Sequence, residues 1–177
     1  MASMRDIKRR RESIQSTEQI TKAMKLVSTV KLQKSRGKAE ESKPYFNLMY
    51  DTICSMLRKS GSIDHKYLKA GNSPKKAVIT ITSNRGLAGG YNNNIVKLVS
   101  GDSRLDQKNV TVYAIGRKGK DALSRKGYAV AADYSEVLNE PVYQDAAEIT
   151  GELLKAFEKN EIGEIYLAYT SFKNTVT

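Results

Sequence analysis

MRDIKRRRESIQSTEQITKAMKLVSTVKLQ, residues 4–33, decides how the rest of the chain is read. Ile20, Ala23, Met24, Val27 and Val30 recur at spacings of three and four, which lines them up along one side of a helix. Ile7 and Ile14 precede them. The stripe is narrow and surrounded by Lys, Arg, Ser, Thr and Gln. That pattern belongs to a coiled-coil seam rather than to a helix half sunk in a globular core. Ser3, with Asp6 three residues on, supplies a helix start. Lys8-Arg9-Arg10-Arg11 then makes the first turns strongly basic. From Lys31 to Lys43 the pattern fades, with Gly37 in its middle. Pro44 lacks an N–H and opposes the carbonyl of residue 40. The apolar period resumes at Phe46, Met49, Ile53, Met56 and Leu57. The spacing predicts two collinear helical pieces, or one helix bent near Pro44. At about 1.5 Å per residue, some 50 residues would span roughly 75 Å, more than a compact domain of this size is wide. Residues 1–58 therefore read as a shaft.

The chain of 177 residues is 40% apolar and 28% charged, enough for one modest core plus an extension. A lone cysteine, Cys54, excludes an internal disulfide and fits a reducing compartment. No apolar run approaches the ~20 residues of a membrane span. The basic start has no apolar stretch after it, so it is not a signal peptide, and Asp6, Glu12 and Glu18 argue against a transit peptide. The net charge of +11 is unevenly spread: +7 on residues 1–58, +4 on 59–76 and zero on 77–177. A neutral domain carrying a basic rod points to an acidic partner, and nucleic acid, anionic lipid and acidic protein loops all qualify on charge.

Residues 59–76, KSGSIDHKYLKAGNSPKK, have no period and read as a basic linker or surface loop. His65 lies there with no second His or Cys, which makes it a loop residue rather than a metal ligand. Beyond it the character changes. β-branched runs at 77–82 and 110–115, a short run at 129–132 and another at 165–170 read as strands. Helical segments fall between them. One covers Asn92 to Val99, with Ile95, Val96 and Val99 inward. One runs from Lys118 to Lys126 and ends at Gly127, a C-cap residue. The longest starts at Asn139 and Pro141, ends near Asn160, and carries Val142, Ala146, Ile149, Leu153 and Phe157 on one face. This alternation predicts an α/β fold over residues 77–177, a doubly wound, mostly parallel, Rossmann-like sheet.

Two loops invite a ligand reading. Ser83-Asn-Arg-Gly-Leu-Ala-Gly-Gly-Tyr-Asn-Asn-Asn94 follows the first strand and precedes a helix, where phosphate loops lie. Its glycines, at 86, 89 and 90, do not form the dinucleotide fingerprint. Gly90 is followed by Tyr91-Asn92, not by the Lys-Ser/Thr that a P-loop uses to reach phosphate and magnesium. A tight turn positioning Asn84 and Arg85 is the better reading. Gly116-Arg-Lys-Gly-Lys120 could hold an anion, but no acidic metal ligand or aromatic platform accompanies it, so it reads as a solvated basic loop. With one His, one Cys and no grouped carboxylates, there is no nucleophile–base pair. No catalytic, cofactor or metal residue is assigned.

Two classes of function remain on physics alone. One is a structural subunit whose basic coiled-coil arm enters a larger assembly. The other is a nucleic-acid-binding module with a basic helix. Against the second, the seam lies within a moderately charged stretch and no leucine heptad follows the basic cluster.

Three motifs in order then become recognisable: Ile20-Thr-Lys-Ala-Met-Lys-Leu-Val-Ser28, Ser42-Lys-Pro-Tyr45, and Ser83-Asn-Arg-Gly-Leu-Ala-Gly-Gly-Tyr-Asn92, with Arg5-Asp-Ile-Lys8 at the start. Together they resemble the gamma subunits of F-type ATP synthases over the whole chain. The resemblance implies an N-terminal helix wound with a C-terminal one into an antiparallel coiled coil, and an α/β foot. It implies a non-catalytic rotor shaft inside a ring of alpha and beta subunits, driven by a proton-turned membrane ring of c subunits. The epsilon subunit and the c ring are the foot's implied partners. Nucleic acid is not among the partners, and no part of the chain spans the membrane. The location implied is peripheral, on the cytoplasmic face of the bacterial plasma membrane. Arg9, Arg10, Ile20, Met24, Lys25, Val27, Asn84 and Arg85 are the implied partner contacts, with Met24 and Lys25 high on the shaft. Asn84 and Arg85 face the acidic levers of the beta subunits. The chain departs from the family in stopping at Thr177. The second coiled-coil helix and the last sheet strand are expected to lie beyond it, leaving the foot incomplete.

Overall fold

The computed structural model describes residues 3–61 and 63–173. The chain divides into two compact units, Met1–Asp64 and His65–Thr177.

The first unit is one helix, α1, Met4–Lys59. Ser3 caps it: its hydroxyl accepts from the Arg5 N–H at 3.3 Å, while the Asp6 carboxylate accepts from the Ser3 N–H at 3.3 Å. Two of the helix's first donors are thereby satisfied. Of the two alternatives at Pro44, two helical pieces or one bent helix, the helix stays in one piece and runs through the proline. Proline deletes one hydrogen bond, whereas ending the helix would create two new termini with four unpaired groups each. The faded stretch before Pro44 stays helical too, with the Arg36–Glu40 pair at 2.7 Å on its surface. No residue of α1 is buried.

The second unit is α/β. In order, it holds β1 (Lys76–Ile81), α2 (Tyr91–Gly101), β2 (Val110–Ile115), α3 (Arg117–Arg125), β3 (Ala129–Asp133), α4 (Tyr143–Glu158) and β4 (Glu164–Ala168). The four strands form one parallel sheet in the order β3-β2-β1-β4. From β1 the chain winds outward through β2 to β3, then returns past β1 to the opposite edge, so the winding reverses at the β1–β4 junction. Period-two alternation feeds two faces. Val78, Val112 and Ala114 meet Ile95, Val96 and Val99 of α2 and Leu123 of α3. Ala77 and Tyr113 meet Ile149 and Leu153 of α4. The sheet is thus covered on both sides, as parallel sheets require.

The last helix starts later than its sequence promised. Residues Ser135–Leu138 form a 3-10 turn and α4 begins at Tyr143, because the residue before Pro141 is steered away from helical backbone. The Asp145 carboxylate accepts from the Val142 N–H at 3.0 Å. Val142, which precedes the helix, and Ala146, in its first turn, are exposed, and the buried face is Ile149 and Leu153. Within the stretch read as linker, Lys66–Leu68 form a 3-10 turn capped by His65, whose Nδ1 accepts from the Tyr67 N–H. Lys66 and Tyr67 both bond the Glu158 carboxylate at 2.5 Å. Gly163 packs so closely on this stretch that a side chain there would sit 2.1 Å from the Ser73 carbonyl oxygen and 3.0 Å from that of Gly71. Residues 66–75 therefore belong to the α/β unit's bonding.

Candidate functional site

The sheet's C-terminal edge is built around Thr82, which is fully buried. Its hydroxyl donates to the Gly116 carbonyl at 3.0 Å and accepts from the Gly119 N–H at 2.9 Å. A Cβ on Gly116, whose φ is +116°, would lie 2.1 Å from the Thr82 carbonyl oxygen. One on Gly119 would lie 2.7 Å from the Thr82 methyl group. Both glycines let the first turn of α3 rest against the end of β1.

The next three residues anchor the loop. Ser83 N–H donates to the Asn92 side chain at 2.8 Å, and the Asn92 amide donates back to the Ser83 hydroxyl at 2.8 Å. The Ser83 hydroxyl also donates to the Arg85 carbonyl at 2.6 Å. Asn84 uses both ends of its amide: Nδ2 donates to the Ser135 carbonyl at 2.8 Å, and Oδ1 accepts from the Arg117 N–H at 3.1 Å. It ties three segments together. Arg85 is exposed and has no carboxylate partner among the described residues. Of the two loop candidates, then, Asn84 is engaged inward and Arg85 outward. At the tip, Leu87 is 96% exposed with φ +62°, a left-handed conformation seldom adopted by leucine.

The position a P-loop gives to lysine is Tyr91, half-buried, whose hydroxyl donates to the Ile81 carbonyl at 3.4 Å and whose pKa is pushed up by burial. Two of the three cations at the start of α3 are paired within the chain. Arg117 pairs with Glu136 at 2.7 Å and Lys120 with Asp133 at 2.8 Å. The Lys120 and Ser135 hydrogen bonds hold the Asp133 carboxyl below the usual range. His65 is exposed, and the described residues contain no His/Cys/Asp/Glu group able to hold a metal ion.

The remaining candidates, Arg9, Arg10, Ile20, Met24, Lys25 and Val27, belong to α1 and are all exposed. Ile20, Met24 and Val27 are 58%, 52% and 56% accessible, an apolar line with no covering inside its own unit. Thr82 and Leu87 were not among the sequence candidates. The Gly116-x-x-Gly119 spacing carries a signal for Thr82, since glycines at a helix start mark a close approach. Nothing in the sequence marks Leu87, because leucine is not a left-handed residue type.

Comparison with known proteins follows the same order of residues. The family model described as ATP synthase matches residues 3–177. The ATP synthase gamma chain of Lachnoclostridium phytofermentans is 69% identical over 177 residues, all of this chain and 60% of the relative. The sodium-ion-specific ATP synthase gamma chain of Acetobacterium woodii is 38% identical over 175 residues, 99% of this chain and 58% of the relative. The gamma chain of Alkaliphilus metalliredigens is 37% identical over 174 residues, 98% of this chain and 60% of the relative. The chain spans about three fifths of the length of these relatives.

Proposed function

Given that the chain belongs to the ATP synthase gamma family, we propose that it is the shaft and foot of the central rotor, coupling proton-driven rotation of a membrane c ring to the nucleotide sites of an alpha–beta catalytic ring. It is non-catalytic itself. Its further partner is the epsilon subunit. Its place is on the cytoplasmic face of the bacterial plasma membrane, held there by other subunits, and no helix among the described residues is long and apolar enough to cross a membrane.

The observation that carries this reading is α1 itself. A helix of 56 residues with an apolar line and no buried residue needs a partner along its length. A second helix wound against Ile20, Met24 and Val27 would complete it, and the basic side chains around that seam suit acidic loops of the surrounding ring.

The test uses the full-length parent assembled with its partners. Val27→Asp places a charge in the seam, which costs several kcal/mol on burial. Met24→Lys adds a cation beside the acidic loops. The bare ring keeps its own nucleotide sites, so both variants are expected to lose proton pumping by a larger factor than ATP hydrolysis. The two rates are measured side by side in reconstituted vesicles. Equal losses would show that these residues only hold the complex together.

A further inference from the structure

The seam of α1 changes character halfway along without leaving its line. Ile20, Met24 and Val27 stand four and three residues apart. The same alternation, carried on without a slip, lands on Lys31, Lys34, Lys38 and Glu41. It then reaches Tyr45 and Leu48, both exposed. Because α1 is one unbroken helix through this stretch, all of these positions share one face. Two apolar blocks are thus joined by a charged one, three cations followed by an anion.

The three lysines are exposed and have no carboxylate partner among the described residues. Glu18 and Glu40 lie on the other side of the helix, where Lys22 and Arg36 take them up at 2.7 Å in each pair. A lysine in the middle of a seam is costly once a second helix covers it, because its ammonium has to leave water. The cost is offset where the covering helix brings a carboxylate to the same level, and such a polar layer fixes the register of the pair.

The same lysines act against the wrong partner. Two copies of α1 could match their apolar blocks antiparallel, Val27 against Tyr45 and Met24 against Leu48. That register sets Lys34 against Lys38 and leaves only Lys31 a counter-charge, in Glu41. A parallel pair in register sets each lysine against itself. Like charges meeting across a seam disfavour both pairings.

We infer that Lys31, Lys34 and Lys38 form a selectivity layer in the seam, which accepts a helix carrying carboxylates at this level and rejects a second copy of α1. The occupant is the second helix of the parent chain. This rests on the family reading above, and the relatives, of which this chain spans 60% and 58%, have the length to supply such a helix. Its chemistry at this level follows from charge complementarity: carboxylates facing the three lysines and a cation facing Glu41.

Two measurements test the layer. In the full-length parent, a carbodiimide joins an amine to a carboxylate only where the two touch. Cross-links are expected from Lys31, Lys34 and Lys38 to carboxylates beyond Thr177, read by mass spectrometry of the peptides. Hydrogen exchange on the same protein reports on the helix pair itself. Slow exchange over residues 20–30 without those cross-links overturns the acidic layer and leaves the coiled coil standing. Fast exchange there means that no second helix covers the seam, and the family reading of the shaft fails together with this inference. In the 177-residue chain alone, sedimentation reads self-association. The triple variant Lys31→Leu, Lys34→Leu, Lys38→Leu is expected to dimerise at least about tenfold more tightly than wild type at low salt. High salt is expected to strengthen dimerisation of the wild type by screening the lysines and to leave the variant unchanged. Equal self-association of the two chains at low salt overturns the rejection of a second copy.

Discussion

Helix α1 and the α/β unit each carry an apolar line and are stabilised in opposite ways. In α1 no side chain is buried, and what holds the helix is internal to it: the backbone ladder, the Ser3–Asp6 cap, and exposed pairs such as Glu18–Lys22 at 2.7 Å. Such pairs contribute about 0.3–0.5 kcal/mol each. In the α/β unit, Val78, Val112, Leu123 and Leu153 are almost completely shielded, and the sheet is covered on both faces. The contrast teaches that helix propensity and apolar content do not by themselves make a stable element. An apolar line stabilises only when something covers it, and in α1 the covering has to come from outside the unit.

The sharpest way to break this comparison is hydrogen exchange on the dilute monomer. Amides of β1 open only with the whole unit, whereas those of residues 15–30 open by local fraying. The free energy of opening is expected to be larger in β1 by about 5 kcal/mol or more. Equal protection of residues 15–30 and 76–81 would sink the idea that the helix lacks its mate.

A smaller effect sharpens the same contrast by substitution. Leu153→Ala removes a fully buried side chain from beneath the sheet and is expected to cost about 2–5 kcal/mol. Val27→Ala, at an exposed position, is expected to stay within about 0.5 kcal/mol in the monomer. Urea unfolding compares them, and similar costs would mean that Val27 is covered in solution.

The smallest effect is acid sensitivity confined to the α/β unit. Asp102 is held down to about 2, against an ordinary value of 3.8, chiefly by the side-chain hydrogen bonds from Arg104. Glu164 is lowered by the Tyr166 hydroxyl and then Lys76, and Glu158 by Lys66 and then Tyr67. Each folded-state pKa lies below its unfolded value. The stabilisation is therefore complete above the ordinary carboxylate range and is lost as pH falls through the folded values. The urea midpoint of the unit is expected to decline from about pH 4.5 toward pH 2, and Asp102→Asn to flatten the lower end. A midpoint constant over that window would show that these pairs are too exposed to matter.

Much of the fold was legible because periodicity is local. The second strand was marked at its observed ends, and Ile95, Val96 and Val99 were assigned inward because spacing alone defines a face. Where the reading erred, a longer-range balance decided. At Pro44 the spacing left two pieces or one bent helix open, and the single helix prevails because one lost bond costs less than two new ends. Val142 fitted the apolar face of α4, yet Pro141 and the 3-10 turn before it moved the helix start past it. Asn84 and Arg85 were singled out as a pair, and only their partners separate them: Ser135 and the Arg117 N–H are 51 and 33 residues away from Asn84.

The sequence by itself determined the apolar line of α1 and the basic residues around it, the alternation of strands and helices, and the motifs that place the chain in its family, because each is written in neighbours a few residues apart. Only the tertiary structure decided that Thr82 bolts β1 to α3, that Asn84 is turned inward, and that Leu87 stands fully exposed in a left-handed conformation. Those outcomes depend on hydrogen-bond partners and backbone approaches between segments distant in the chain, which no local pattern encodes.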